Sequence, residues 1–357
     1  MKTHNPIRVL VVDDSALMRK LLAKMLSVAE DIEVVGTAMD GSFALKKVED
    51  LKPDVVTLDL DMPNVDGLTA LKRIVKHHCL PVVLVSAHTQ EGASVTINAL
   101  AAGAVDFVTK PRRVLSAPLE TIGAELIDKI RVAVGVKVDR FQSRPYRPRT
   151  DRPQTVATAT NGACRVIVVG ASTGGPHALS YLLPQIRADF PAAILIVQHM
   201  PEGFTSMFAQ HLADLSSIPV REAADGDCIL PGRAAVAPSG QHLKVQKIGS
   251  TPTVVLSKSP PVQGMRPSAD VLFQSAAEVF GAHATGLVLT GMGEDGANGM
   301  TAIRAAGGHT IAQDRESSVV FGMPKAAIDR KSVQRVLPLS EIGVYLNSLD
   351  LGRRGLS

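Results

Sequence analysis

The chain has no tryptophan, three tyrosines and three cysteines in 357 residues. Cys79, Cys164 and Cys228 lie far apart with no Cys-x-x-Cys, which excludes a zinc ribbon and argues against a disulfide scaffold. No apolar run approaches the ~20 residues that span a bilayer. No hydrophobic segment of signal-peptide type follows the polar start Met1-Lys2-Thr3-His4-Asn5. These absences predict a cytoplasmic protein without membrane insertion. Charge of one sign is also scarce, with a net value of +4. Much of that excess lies in Arg140, Arg144, Arg147, Arg149 and Arg152. Nucleic-acid binding would want such a patch on a folded face interleaved with aromatics. With so few aromatics the stretch reads as solvated linker, and no nucleic-acid partner is expected.

What is present is enough apolar sequence, 45% of residues against 20% charged, for two or three domains with cores of their own. Short apolar strands alternate with amphipathic helices over residues 1–135. The strands are Arg8–Asp13, Glu33–Ala38, Asp54–Asp59, Pro81–Ser86 and Asp106–Thr109; the helices are near Ala16–Val28, Gly41–Leu51, Gly67–His77, Ala93–Ala101 and Ile122–Val134. Five such βα units predict a doubly wound, five-stranded parallel α/β domain. The pattern stops over residues 136–163, an Arg/Pro-rich stretch that reads as a flexible linker. It resumes over residues 164–350, predicting a second doubly wound, mainly parallel α/β domain, with residues 351–357 as a tail. Strands are expected at Val166–Gly170, Ala193–Gln198, Ala234–Ala237, Val254–Leu256, Thr285–Thr290 and His309–Ala312. Helices are expected after Ser172, Phe204, Ala269, Gly296 and Pro324, with room for an antiparallel hairpin between about 219 and 257.

In an open parallel sheet, ligands sit at the carboxyl ends of the strands. In the first domain those ends carry Asp13 and Asp14, Asp59, Ser86 and Lys110. Crowded carboxylates repel and move toward the neutral form unless a cation is present. Mg²⁺ favours such oxygen ligands and keeps waters for a phosphate, and Lys110 adds a point charge for a phosphoryl oxygen. This set resembles a response-regulator receiver domain. The resemblance implies Asp59 as phosphoacceptor, and Asp13, Asp14, Asp59 and the Asp61 carbonyl around Mg²⁺. It also implies Ser86, Lys110 and the aromatic Phe107 as the switch residues.

In the second domain Ser172 stands at a glycine-rich turn after Val166–Gly170, His199 closes Ala193–Gln198, and Asp295 follows Thr285–Thr290 in Gly291-Met292-Gly293-Glu294-Asp295-Gly296. Together they supply what a nucleophilic hydrolase needs: a hydroxyl, a base, and an acid that fixes the base. Each also has a plain structural reading, Ser172 and Asp295 as helix caps and His199 as a surface hydrogen-bonder. The α/β-hydrolase elbow that Gly170-Ala171-Ser172-Thr173-Gly174 suggests requires the order Ser, acid, His. That order would need His309, which begins a strand. The Gly-x-Gly-x-x-Gly at 291–296 suggests a dinucleotide site, but it places Glu294 and Asp295 in the phosphate-cradling turn. A like-charge pair at about 4 Å costs about 4 kcal/mol at an effective dielectric of about 20.

Gly170–Pro176, Gln198-His199-Met200-Pro201, Arg266-Pro267-Ser268-Ala269-Asp270, Thr290–Gly296 and Gly299-Met300 together resemble the catalytic domain of the chemotaxis protein-glutamate methylesterases. Receiver, linker and this domain follow in that family's order. One departure is Gly264-Met265 ahead of Arg266, where a histidine is expected. The resemblance implies Ser172 as nucleophile, His199 as base, Asp295 as its orienter, and Thr173 and the Met292 backbone beside the reacting carbonyl. It further implies hydrolysis of glutamate methyl esters on methyl-accepting chemoreceptors, receptor glutamine deamidation through the same acyl-enzyme, and no cofactor for the esterase chemistry. A chemotaxis histidine kinase is the implied phosphodonor, with the unphosphorylated receiver covering the catalytic cleft. Two other classes remain open at this point: a phospho-regulated binding protein with a silent second domain, and a DNA-binding regulator, against which the lack of a compact helix-turn-helix counts.

Overall fold

The computed structural model describes residues 5–63, 65–86, 89–110, 119–136, 138 and 165–349. The chain divides into two compact units, residues 1–143 and 144–357. The expected Arg/Pro linker, apart from Val136 and Val138, and the expected tail lie outside the described residues.

The first unit runs β1 (Ile7–Val12), α1 (Ala16–Leu26), β2 (Ile32–Ala38), α2 (Gly41–Leu51), β3 (Val55–Leu58), α3 (Gly67–Arg73), β4 (Val82–Ser86), α4 (Gln90–Ala101), β5 (Asp106–Thr109), α5 (Leu119–Val134). The sheet order is β2-β1-β3-β4-β5 and every pairing is parallel. Continuous burial along Val9–Val12 and Val55–Leu58 fits strands covered on both faces. Helix starts carry side-chain caps: Ser15 on the Met18 N–H, Asp40 on Ser42 and Phe43, Asp66 on Thr69. The helix expected over Gly67–His77 is α-helical to Arg73 and then widens into a π turn, Ile74–His78.

The second unit runs β6 (Val166–Ala171), α6 (Gly175–Leu182), β7 (Ala193–Gln198), α7 (Thr205–Leu215), β8 (Val220–Glu222), β9 (Ala234–Val236), β10 (His242–Ile248), β11 (Thr251–Ser257), α8 (Ala269–Phe280), β12 (Ala284–Val288), α9 (Ala297–Ala305), β13 (His309–Gln313), α10 (Met323–Asp329), β14 (Arg335–Leu337) and α11 (Leu339–Ser348). Seven strands form one parallel sheet in the order β14-β13-β12-β6-β7-β9-β8. The expected hairpin is β10–β11, an antiparallel pair in its own two-stranded sheet; Val254–Leu256 therefore belongs to the hairpin and not to the main sheet.

Both sheets place their polar residues where chain order reverses. β1 lies between β2 and β3, and β6 lies between β12 and β7. At such a point the loops leaving adjacent strands turn to opposite faces and open a crevice at the strands' carboxyl ends.

Candidate functional site

In the first unit, Asp13 follows β1 and Asp59 follows β3. The Asp59 N–H donates to Val12 O at 2.9 Å, continuing the ladder past the strand end. The close approach of α3 needs Gly67, because a Cβ there would stand 2.2 Å from Asp59 O. Asp13, Asp14 and Asp59 each present a carboxylate oxygen, all within 4.8 Å of one another, and Asp13 and Asp59 are buried. Lys110 Nζ lies 2.6 Å from Asp59 Oδ2 and 2.8 Å from Asp13 Oδ2. Burial raises the Asp59 carboxyl above its ordinary range despite the hydrogen bond from Lys110, and the Asp13 charge adds to the rise. Burial pulls Lys110 down, but its bonds to Asp13 and Asp59 outweigh this and raise it. Asp14, Asp59, Asp61 and Lys110 line one pocket with Met62 and Pro63. An all-oxygen set with one buried carboxylate held toward neutrality fits a small hard dication such as Mg²⁺.

Ser86 and Phe107 each make a described contact outside the carboxylate set. The Ser86 hydroxyl pairs with Thr96 Oγ1 at 2.5 Å, and the buried Phe107 ring lies 5.5 Å beneath Lys129 Nζ. The described link from Ser86 to the pocket runs through the main chain, where its carbonyl accepts the Lys110 N–H at 2.7 Å.

In the second unit the three strand ends converge. Ala171 pairs with Gln198 in the β6–β7 register and Gly170 with Val288 in β6–β12. The next residue on β6 is Ser172 and the next on β7 is His199, so the two backbones are neighbours. The Ser172 N–H donates to Thr290 O at 3.1 Å, tying the serine to the β12 side. The helix-cap reading of Ser172 is excluded by position, since α6 starts at Gly175 with Gly174 as its N-cap (φ 77°). The Ser172 hydroxyl makes no hydrogen bond among the described residues.

His199 Nε2 lies 2.8 Å from Asp295 Oδ2, and the two side chains are 9% and 3% exposed. Because Asp295 takes the Nε2 side, the proton belongs there, and the lone pair is on Nδ1. Nδ1 is buried and has no hydrogen-bond partner among the described residues.

Asp295 does cap a helix, but not the one that follows it. Gly296, at the N-cap of α9, supplies no side-chain cap of its own. Instead Asp295 reaches α8: Oδ2 accepts the Ala269 N–H at 2.7 Å, and Oδ1 accepts the Ser268 hydroxyl at 2.7 Å and the Asp270 N–H at 3.0 Å. Asp270 returns the contact, accepting the Gly299 N–H at 2.7 Å and Asn298 Nδ2 at 3.1 Å in the first turn of α9. Two helix starts, Ala269 and Ala297, are thus cross-capped by carboxylates that stand beside the other's start. Burial pushes Asp295 up, yet the His199 hydrogen bond and charge, with the Asp270 N–H and Ser268 hydroxyl, hold its carboxyl below the ordinary range. Burial raises Asp270, and the Asp295 charge adds to it.

Met292 is 40% exposed, and its N–H makes no hydrogen bond among the described residues, whereas Thr173 is 5% exposed. Sequence reasoning gave no role to Ser268, Asp270, Gln198 or His242. The buried His242 accepts the Ser268 N–H on Nδ1 at 3.2 Å, behind the Asp295 contact. For Ser268 and Asp270 a signal existed, a serine and an acid at the start of an apolar-periodic run. Nothing in the sequence says that the far carboxylate they meet is Asp295.

The CheB methylesterase family model matches residues 167–346, and the response regulator receiver domain model matches residues 9–117. Protein-glutamate methylesterase/protein-glutamine glutaminase 2 of Koribacter versatilis is 52% identical over 349 residues, 94% of each chain. The Symbiobacterium thermophilum protein-glutamate methylesterase/protein-glutamine glutaminase is 45% identical over 352 residues, 96% of each chain. Among solved structures, the Thermotoga maritima CheB methylesterase catalytic domain is similar with a TM-score of 0.52 and 38% identity, over 53% of this chain and 100% of that one.

Proposed function

The chain belongs to the CheB methylesterase family and has a response regulator receiver domain ahead of its catalytic domain, and on that premise we propose that it hydrolyses glutamate methyl esters on chemoreceptors under control of phosphorylation at Asp59. The observation that carries the chemistry is the His199–Asp295 pair, whose Nδ1 has no hydrogen-bond partner among the described residues, on a backbone neighbouring that of Ser172.

Ser172 Oγ bonds to the ester carbonyl carbon as its proton passes to His199 Nδ1. The C–OCH₃ bond then breaks, and that proton leaves with methanol. Water adds to the acyl-enzyme, again giving a proton to Nδ1. Collapse returns the proton to Ser172 Oγ and releases glutamate. A glutamine side chain follows the same course with ammonia as leaving group, matching the second activity in the relatives' names. Asp295 stays ionised throughout, because its other acceptor sites are filled by α8 donors, and it stabilises the imidazolium that forms. The Met292 N–H serves the developing oxyanion, where one donor is worth about 3–4 kcal/mol, with Thr173 near the reacting carbonyl. The Ser172 and His199 side chains are not hydrogen-bonded to each other, a common state for catalytic pairs that tighten on substrate.

In the receiver, Asp59 attacks the phosphorus of a kinase phosphohistidine, the N–P bond breaks, and an aspartyl phosphate forms. Asp13, Asp14, Asp59 and the Asp61 carbonyl would hold Mg²⁺, which when bound neutralises charge between carboxylate and phosphoryl oxygens. Lys110, with Nζ 2.6 Å from Asp59 Oδ2, would meet a phosphoryl oxygen on that carboxylate. The partners on this reading are methylated receptor helices on the cytoplasmic side and a chemotaxis histidine kinase.

The test is methanol release from methylated receptor membranes, with and without a small phosphodonor. Ser172→Ala should abolish release in both conditions. Asp59→Asn should remove the response to the donor and leave basal release. Normal release by Ser172→Ala would refute the assignment.

A further inference from the structure

Gln198 closes β7 and is 1% exposed. Its Nε2 donates two hydrogen bonds, to Ser172 O at 2.9 Å and to His199 O at 3.0 Å. These are the main-chain carbonyls of the nucleophile and of the base. The orientation of the amide is fixed by chemistry: reversed, its oxygen would face two carbonyl oxygens that cannot donate. Ser172 O also accepts the Gly175 N–H at 2.7 Å, and the His199 N–H donates to Ala171 O at 3.0 Å. The β6–β7 register ends at Ala171–Gln198. Past that point, among the described residues, Gln198 is the side chain that joins the two catalytic backbones.

The other end of the amide is informative. Gln198 Oε1 is buried and has no hydrogen-bond partner among the described residues. It packs so closely under the start of α6 that a Cβ on Gly175 would stand 2.0 Å from it. A residue present for packing alone would be better as methionine or leucine, which fill the space without an orphaned acceptor. The cost of burying that oxygen is explained if the Nε2 bonds serve a function.

We propose that Gln198 is a positioning residue of the hydrolysis, one amide that holds Ser172 and His199 at the separation from which Oγ can reach Nδ1. The proposal rests on the reading of Ser172 and His199 as nucleophile and base. Misplacing reacting groups by about 1 Å costs on the order of 100-fold in rate, so the effect belongs in kcat and not in substrate binding.

The experiment measures kcat and KM for methanol release by the full chain, with an unfolding curve for each variant. Gln198→Met should fold with an unfolding temperature near that of the parent, lose about 10- to 100-fold in kcat, and keep KM. Gln198→Glu cannot donate when ionised and can donate one bond when protonated, so its kcat relative to the parent should rise as pH falls from about 8 to about 5.5. Unfolding curves at the same pH values separate this from refolding, since the recovery in kcat must appear where Gln198→Glu and the parent are both fully folded. Parental kcat in Gln198→Met overturns the proposal. So does a Gln198→Glu ratio that stays flat with pH, including the case where Gln198→Met loses activity and fold together. Ser172→Ala in the same assay separates the two claims: if it is inactive while Gln198→Met is normal, only the positioning role falls. If Ser172→Ala is active, the catalytic assignment falls with it.

Discussion

Replacing Asp295 by asparagine should cost stability as well as activity. The carboxylate accepts four hydrogen bonds, one from His199 and three from the start of α8. In asparagine one oxygen becomes an NH₂ group. Placed at Oδ2 it meets the Ala269 N–H; placed at Oδ1 it meets the Asp270 N–H. The Ser268 hydroxyl can rotate to accept, but a backbone N–H cannot, so one α8 donor is orphaned at a cost of about 1–3 kcal/mol. Loss of negative charge at the N-terminus of this helix adds about 0.3–1 kcal/mol. Relief of the burial penalty on Asp295 and of repulsion from Asp270 works the other way. Because the fold as a whole lowers the Asp295 pKa, the anion is favoured on balance, and the net loss is about 2 kcal/mol. For a unit of this size that is roughly 4–8 °C in unfolding temperature. Activity should fall by about 10⁴, since the imidazole loses its tautomer and its counter-charge. The sign of the pH dependence follows. The folded value lies below the ordinary 3.8, so the contribution is complete above that pH and is lost as pH falls through the folded value. Calorimetry of parent and variant at pH 7 and below pH 4, beside methanol release, reads both effects. An inactive variant with unchanged or raised unfolding temperature would refute the reasoning, because Asp295 would then serve His199 alone.

Other positions give sharper tests of single forces. Burial pushes His177 from 6.5 to about 4. The unfolded chain therefore binds a proton that the folded one refuses between those values, and stability should fall as pH drops through that window, by roughly 3 kcal/mol at about 1.4 kcal/mol per unit. Urea titrations at pH 7 and 4 should show this fall, and His177→Met should flatten it. Gly175→Ala should destabilise by about 1–3 kcal/mol through overpacking and impair methanol release, since the added Cβ collides with Gln198 Oε1 and lies 2.8 Å from Ala171 Cβ; a fully active, equally stable variant would contradict the packing seen here. Asp59, whose pKa is raised, costs stability when ionised at neutral pH. Asp59→Asn should thus raise the receiver's unfolding temperature without Mg²⁺. Mg²⁺ at ten times its Kd should stabilise the parent by about 1.4 kcal/mol and the variant less; equal shifts in a thermal melt would remove Asp59 from the ion's shell.

The frame of both units was legible because parallel sheets buried on two faces leave unbroken apolar runs, as in Val166–Val169 and Ala193–Val197. The polar residue that ends each run then stands out. Ser172, His199 and Asp295 are singled out this way, as are Asp13 and Asp59. Shorter elements carried too little signal. β8 and β14 have three residues each and lie at the two edges of the sheet, where period and burial fade. In α11, Leu339, Ile342 and Leu346 have helical spacing, but Gly343 interrupts it; that glycine is there because a Cβ would press on Gln185. The helix starts that Asp295 and Asp270 exchange, and the two carbonyls that Gln198 joins, are long-range pairings. They depend on which strand ends become neighbours, and strand order is a property of the fold.

The most direct measurement is covalent labelling of the full chain with a serine-directed phosphonate, mapped by peptide mass spectrometry while methanol release is followed. The account predicts one label per chain, on Ser172, with activity lost in step, and little labelling in His199→Ala. Activity lost with the label on another residue, or an unlabelled Ser172 in the inactivated enzyme, would contradict it.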